Sequence, residues 1–300
     1  MTIRAIIVSI FLIPYASISA DSGQSGLAFL KIDVDGRAAA MGGAYTAISS
    51  GADAAYWNPA GLANASQKNL VLMHNVWLDD ITQEFASWQF MSGKHNLALS
   101  ANLMIYPGIE IRGERPTEDP DGVAEAINFY SALSYARDFS GWRVGLSVKY
   151  LFERYYLAQA NGWAMDVGIQ RAAILKNLDW GLAVANMGKM DVLQKVATPL
   201  PLILRSGLLY HLPFQFLEGG HLLSADVQYV KDEHLYLRAG SEWNIIQYLS
   251  LRGGLIWYKE GLRASAGFGL IYNSFRLDYA FVPFADDLGN SHRFSVGFLF

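Results

Sequence analysis

The stretch Gly141–Phe152, read GWRVGLSVKYLF, decides the fold. Trp142, Val144, Leu146, Val148, Tyr150 and Phe152 share one parity, while Arg143, Gly145, Ser147 and Lys149 take the other. Successive side chains of a strand point to opposite faces, so this period of two predicts a strand with one apolar and one polar face. Its length exceeds the ~5–6 residues of an average globular strand. It suits a tilted strand that crosses a membrane.

The pattern recurs through the chain. Trp163 to Gln170, Leu178 to Ala185, Leu222 to Tyr229 and Phe275 to Phe281 alternate in the same way. So do the last residues, where Phe294, Val296, Phe298 and Phe300 oppose Arg293, Ser295 and Gly297. Read throughout, the periodicity predicts strands near 68–77, 82–91, 94–105, 125–138, 141–154, 161–172, 177–188, 200–211, 219–230, 234–244, 248–258, 261–272, 273–282 and 291–300. Fourteen is an even number, which lets an antiparallel sheet close with both ends on one side. The expected fold is all-β: a 14-stranded antiparallel transmembrane β-barrel.

Composition agrees. The 300 residues are 52% hydrophobic and 17% charged, against about 25% charged in an ordinary soluble domain. Beyond residue 20 no apolar run approaches the ~18 residues of a membrane helix. Without Cys there is no disulfide scaffold, Cys-based zinc site or Cys nucleophile. A net charge of -4 argues against nucleic acid as a partner. Residues 1–20, with Arg4 before an apolar centre and Ile18-Ser19-Ala20 at the end, read as a cleaved signal peptide. Trp142, Trp163, Trp180, Trp243 and Trp257 fall near strand ends, as rings at a membrane interface do. Outer-membrane lipid is the partner these features imply, and the outer membrane of a Gram-negative-type bacterium the location. The terminal strand is read as the insertion signal for the barrel-assembly machinery.

The opposite parity should face the lumen. It carries Arg143, Lys149, Arg205, Arg238, Arg252, Arg263, Arg276 and Arg293, with Glu153, Asp166, Asp179, Asp226, Glu242 and Asp278. Most are expected to pair across strands. The same parity holds Gly145, Gly168, Gly181, Gly207, Gly240, Gly254, Gly267 and Gly297, each in a different strand. Glycine weakens a strand unless something approaches closely or the wall must bend. These positions are expected to make room for a plug.

The plug candidate is residues 21–66, ahead of the barrel at 67–300. Its centre, residues 26–65, reads GLAFLKIDVDGRAAAMGGAYTAISSGADAAYWNPAGLANA, rich in small residues and free of alternation. A short helix is expected over Arg37–Ala47, broken at Gly42-Gly43, with Asp53 as the N-cap of another. Asn58-Pro59 is a turn signal.

Three runs carry a family resemblance: Phe29-Leu30-Lys31-Ile32, Gly36-Arg37-Ala38-Ala39-Ala40-Met41-Gly42-Gly43-Ala44-Tyr45, and Ala54-Ala55-Tyr56-Trp57-Asn58-Pro59-Ala60-Gly61-Leu62. They resemble the N-terminal signature of the PorV/PorQ family, and Asn58-Pro59-Ala60 resembles the hatch motif of FadL-type transporters. The resemblance implies an outer-membrane barrel with an N-terminal hatch. It implies first a part in type IX protein secretion, with secretion-system proteins as partners. The alternative is passage of hydrophobic small molecules such as fatty acids. The extracellular loop 106–124 is the only long one expected, which speaks against a grip on protein cargo. No enzymatic role is expected, since His74, His95, His211, His221, His234 and His292 form no catalytic or metal-binding spacing. No cofactor is implied.

Overall fold

Alternation along the chain becomes a continuous wall. Fourteen antiparallel strands pair in sequence and close into one barrel. The structure is a computed structural model that describes residues 26–300, apart from 79, 114–117, 215–218, 260 and 285–288. The signal peptide at 1–20 therefore lies outside the described residues. The barrel strands are β1 (Asn69–Val76), β2 (Thr82–Ser92), β3 (His95–Ile111), β4 (Gly122–Phe139), β5 (Trp142–Tyr155), β6 (Ala158–Leu175), β7 (Leu178–Met190), β8 (Ile203–His211), β9 (His221–Val230), β10 (Leu235–Ile246), β11 (Leu249–Tyr258), β12 (Gly261–Tyr272), β13 (Phe275–Pro283) and β14 (Asn290–Leu299). Closure runs through β14 on β1, from Asn69↔Leu299 to Val76↔His292. Every barrel strand has a partner on both sides, so the closed wall has no edge strand whose unpaired N–H groups would meet lipid.

All fourteen predicted strands are present, with ends moved by a few residues. The largest change is at 106–124, expected as a loop. There β3 and β4 continue as a hairpin to Ile111↔Gly122, past a register shift between Tyr106 and Ile109. Pro107 falls in that shift, where its missing N–H breaks no ladder bond. Glu114 and Arg115 of this segment lie outside the described residues. Between β7 and β8, a small hairpin pairs Val192–Leu193 with Val196–Ala197.

The two ends of the barrel differ. The lower end carries both barrel termini, where the Phe300 N–H donates to the Lys68 carbonyl at 3.0 Å. Most of its turns are two residues long, the link between His211 and His221 being longer. Ser140 and Gly141 both have positive φ, 55° and 86°, as a two-residue hairpin turn between twisted strands requires. The longer hairpins rise from the upper end.

The outer face is apolar. Trp142, Val144, Leu146, Val148 and Tyr150 are exposed, whereas Gly145, Ser147 and Lys149 between them are buried. Phe294 and Phe300 are likewise exposed, with Ser295 and Arg293 buried. A groove of about 820 Å³ crosses the outside of β2–β5 where the outward row is small, with Ala86 opposite Ala101 and Ala101 opposite Ser131. Trp88, Leu99 and Leu133 form its wall.

Inside the barrel lies the segment from Gly26 onward. Its elements are short: a 3-10 turn Ala28–Lys31, α1 (Gly36–Ala40), α2 (Ala54–Trp57) and a 3-10 turn Pro59–Asn64. The helix expected over Arg37–Ala47 is only five residues long, because Gly42 and Gly43 take φ values of 65° and 68° and turn the chain. The expected N-cap role of Asp53 is also corrected. Its side chain makes no cap bond and instead accepts a hydrogen bond from the Tyr45 hydroxyl at 3.0 Å.

Candidate functional site: the plug against the lumen wall

The plug runs the length of the lumen. At the top, the Gly26 N–H donates to the Pro199 carbonyl at 3.0 Å. Near the bottom, Gln89 Nε2 donates to the Leu62 carbonyl at 2.8 Å. Phe29, Met41, Tyr45, Tyr56 and Trp57 are all buried. The plug holds its own shape through side-chain bonds to its backbone. Tyr56 OH donates to the Ile32 carbonyl at 2.9 Å, and Trp57 Nε1 to the Val34 carbonyl at 3.1 Å. Asn58 closes the turn before Pro59 by accepting from the Ala60 N–H at 3.2 Å. Its Nδ2 reaches the Thr46 carbonyl at 3.1 Å and the β6 carbonyl of Ile169 at 3.2 Å.

The wall is carved to admit this backbone. A Cβ at Gly145 would fall on the Pro59–Ala60 peptide, and one at Gly254 on the Met41–Gly42 peptide. Gly168 faces Asn58, Gly181 faces Thr46, Gly240 faces Met41 and Gly267 faces Ala40. These six expected inward glycines touch the plug. The other two do not: Gly207 faces the Asp226 side chain and Gly297 the Arg276 side chain. Asp226 in turn accepts from the N–H groups of Tyr45 and Thr46 at 3.0 and 2.8 Å.

Ion pairs tie the plug to one side of the wall. Arg37 donates through Nε and Nη2 to both oxygens of Glu242 at 2.7 and 2.8 Å, a two-point contact. Arg238 Nη1 donates to both oxygens of Asp33 at 2.9 and 3.1 Å. Arg276 is ion-paired with Asp278 at 2.7 Å and lies 3.7 Å from both Asp35 and Asp53. Lys31 pairs with Glu233 near the upper mouth. Below the Arg276 cluster a cavity of about 170 Å³ opens toward the lower end, lined by Asp53, Asn69, Arg276 and Phe298.

The plug carboxylates are perturbed in opposite directions. Burial raises Asp35, and the like charges of Asp278 and Asp53 add to this, so its pKa is pushed up to about 7 despite Arg276. Asp53 is raised by burial as well, with Arg276 and Arg37 opposing. Burial alone would raise Asp33 too, but Arg238, Arg293 and Arg263 overcome it and hold it below the ordinary carboxylate value.

The whole stretch from residue 17 to the C-terminus matches one family's sequence profile, described only as an uncharacterised protein family, UPF0164. The chain belongs to UPF0164. No protein with a curated description matches it significantly. Among solved structures, it resembles the Pseudomonas putida toluene transporter TodX with a TM-score of 0.64, at 13% identity, covering 89% of this chain and 98% of that one. The Ralstonia pickettii toluene transporter TbuX gives 0.58 at 12% identity, covering 89% and 97%. A Pseudomonas aeruginosa FadL homologue gives 0.54 at 12% identity, covering 87% and 96%. These likenesses show that the UPF0164 chain has the fold of FadL-type barrels.

Within this UPF0164 barrel the predicted site residues separate. Gly36, Arg37, Met41, Gly42, Gly43, Tyr56, Trp57, Asn58, Pro59, Ala60 and Gly61 are gathered inside the lumen, all but Arg37 fully buried. Of the predicted lumen charges, Lys149 pairs with Asp166 across β5–β6, and Arg252 with Glu242 and Asp278 across β10–β13. Arg205 lies over the rings of Tyr56 and Trp57 at 5.4 and 5.2 Å. Arg143 sits at the lower rim, 3.7 Å from Asp138. Pairing across strands is thus only part of the answer, since Arg238 and Arg276 reach the plug. The sequence reading missed Asp33 and Asp35. The local signal was there, in two acids within an otherwise apolar run that leads into a lumen rich in arginine. Among the described residues no group of three His, Cys, Asp or Glu is placed to hold a metal ion.

Proposed function

We propose that this chain is an outer-membrane channel for hydrophobic small molecules, with residues 21–66 as its plug and residues 67–300 as the barrel. The observation that carries this reading is a plug seated along the whole lumen of a FadL-type barrel. A plug that fits glycine-lined recesses and is held by a few ion pairs can be displaced without unfolding the wall. Barrels of the same fold include toluene transporters. The upper lumen suits an apolar ligand. Phe29 packs on Tyr130 with ring centroids 6.1 Å apart, and Met73, Phe85, Met104, Leu151, Trp77 and Ile81 join the same apolar cluster. In the seated state the wall is unbroken, so passage requires the plug to move.

In this reading the apolar exterior meets outer-membrane lipid, the lower end faces the periplasm, and Phe294, Val296, Phe298 and Phe300 engage the barrel-assembly machinery. The secretion role expected first rests on the N-terminal signature alone, and none of the likenesses reported above favours it. Expression in a Gram-negative host lacking its own channel for hydrophobic substrates tests the proposal. Labelled 1-dodecanol should enter cells carrying the chain faster than cells without it. Uptake equal in both, together with no binding by the purified protein, overturns it.

A further inference from the structure

The outer face breaks its own apolar rule at the lower rim. Arg137 on β4 shares a face with Tyr135 and is in register with Val144, both of which point to lipid. Arg171 on β6 is in register with the outward Trp142. Phe139 stands opposite Trp142 where the β4–β5 hairpin closes. The Arg137 guanidinium lies over the Phe139 ring and that of Arg171 over the Trp142 ring, each at 5.2 Å. Arg171 is also held at the turn, where its Nη1 donates to the Ser140 carbonyl at 2.8 Å. Trp142 meets Trp180 edge to face with centroids 6.5 Å apart. Such rings mark the level of lipid headgroups, so two guanidiniums stand at that level on the lipid side of the wall.

The acids of the neighbouring turns are committed elsewhere. Asp138 accepts the Gly141 N–H at 2.7 Å and lies 3.7 Å from Arg143. Asp179 accepts the Ala173 N–H at 2.8 Å and pairs with His211 at 3.0 Å. Glu218, outside the described residues, adjoins neither β4 nor β6 in the chain. The Arg137 Nε is buried without an acceptor. Above these arginines, on the same side of the barrel, lies the outer groove of about 820 Å³. Leu133 in its wall is four residues from Arg137 along β4. That is a rise of ~13 Å at ~3.3 Å per residue, within the ~15 Å of hydrocarbon that one leaflet contributes. Tyr135, Val144 and Leu146 connect the two levels, and all are exposed. A hollow on the lipid side forfeits dispersion contacts unless a flexible chain fills it.

We propose that this face binds one glycerophospholipid of the periplasmic leaflet, with its phosphodiester at Arg137 and Arg171 and one acyl chain in the groove over β2–β5. The inference goes beyond the channel reading and rests only on its outer-membrane placement, with the lower end toward the periplasm. A guanidinium presents its donors in a fork that matches phosphate oxygens. The stacking on Phe139 and Trp142 holds both forks at the rim, so little freedom is lost when the phosphate arrives. Ala86, Ala101 and Ser131 give the groove its depth, and Trp88, Leu99 and Leu133 wall it. Headgroup and chain thus engage separate residues at a spacing that one lipid molecule spans. A second copy of the chain would cover the groove but leave the arginines without an anion. A hydrocarbon without a phosphate would do the same.

The test is native mass spectrometry of the purified full chain in a non-ionic detergent, with dioleoylphosphatidylglycerol and dioleoylglycerol as probes. The two carry the same chains, and only the first carries a phosphate. Wild type should retain one phosphatidylglycerol and bind it at least tenfold more tightly than the diacylglycerol. Arg137→Met and Arg171→Met should each weaken phosphatidylglycerol roughly tenfold, the scale of a lost hydrogen bond to a charged group, and leave the diacylglycerol unchanged. Ala101→Leu, which fills the groove from the lipid side, should weaken both. Lys231→Met, at the upper rim, should match wild type. Heat-dependent gel mobility verifies that each variant is a closed barrel. The wild-type comparison needs no variant, and equal binding of the two lipids overturns the headgroup site. Unchanged binding in Ala101→Leu overturns the groove as the seat of the chain. A dimer mass in wild type that Ala101→Leu abolishes gives the groove to a second copy and overturns the proposal. Uptake of 1-dodecanol is a separate readout, so failure of the lipid site leaves the channel reading standing, and failure of uptake leaves the lipid site standing.

Discussion

The two sides of the lumen are built from different chemistry. On β8–β14 the inward residues include Arg205, Asp226, Arg238, Glu242, Arg252, Arg276, Asp278 and Arg293, and most are fully buried. On β1–β4 they are amides and hydroxyls such as Asn75, Gln83, Ser87, Asn102 and Ser134, interspersed with Met73, Phe85, Met104 and Tyr130. Some amides bond to each other, Asn75 to Gln83 at 3.0 Å and Gln83 to Asn102 at 3.3 Å, and others reach the plug backbone, where Ser87 Oγ donates to the Ala52 carbonyl at 2.7 Å and Gln89 Nε2 to the Leu62 carbonyl at 2.8 Å. The charged side meets the plug through Asp33, Asp35, Arg37, Tyr45 and Thr46. One side thus holds the plug largely by ion pairs and charge-assisted hydrogen bonds, the other by neutral hydrogen bonds.

Breaking the anchor should cost most. Glu242 accepts from both Arg37 and Arg252, so Glu242→Ala leaves two buried guanidiniums facing a void. A loss of about 3–5 kcal/mol is expected from removing one partner of a buried pair. Denaturant unfolding in detergent measures it, and cleavage within residues 26–66 by added protease should rise together with that loss. A stability unchanged from wild type would mean that the charged side does not anchor the plug.

Filling a recess should come next. Gly254→Val places a side chain on the Met41–Gly42 peptide, an overpacking expected to cost about 1–3 kcal/mol. Because the barrel strands are paired independently of the plug, the strain should expel the plug rather than open the wall. Raised single-channel conductance in a planar bilayer would show this. Conductance equal to wild type would show that the plug yields locally.

The lower cluster adds a pH dependence of known sign. A carboxyl whose folded pKa is raised stabilises the folded form at low pH, and that contribution is lost as pH rises through the folded value. For Asp35 the window lies between its ordinary 3.8 and about 7, and the raised Asp53 acts in the same direction. Asp33, lowered, contributes only above the ordinary range and is lost in acid. The plug should therefore be better protected from protease at pH 5.5 than at pH 8.5, and Asp35→Asn should flatten the difference. Protection that increases with pH would contradict the assignment.

The neutral side should respond least. Gln83→Ala removes one amide from the ladder, and about 1 kcal/mol is expected, with protease access to the plug unchanged. A larger effect on the plug than that of Glu242→Ala would reverse the comparison.

Much of the fold was legible in the sequence. The count and order of strands followed from alternation in stretches such as Gly141–Phe152, because which face a side chain occupies is fixed by its neighbours in the chain. The hidden part of β3 and β4 around Pro107-Gly108 was not legible, since a bulge lets pairing resume beyond an apparent break. The glycines announced recesses, and six of the eight do contact the plug. The break of the plug helix at Gly42-Gly43 was legible too, whereas the failure of the helix to resume as far as Ala47 and the missing cap bond of Asp53 were not.

The partners of the lumen charges belonged to tertiary structure alone. Arg37 and Glu242 are 205 residues apart in the chain, as are Asp33 and Arg238, and no local spacing links them. Sequence by itself determined a barrel wall with a polar inner face and a small-residue segment suited to fill it. Only the closed barrel decided which acids of the plug meet which arginines of the wall. The reason is physical: side-chain parity is a property of adjacent peptide units, whereas an ion pair depends on where barrel closure and the path of the plug bring two distant side chains together.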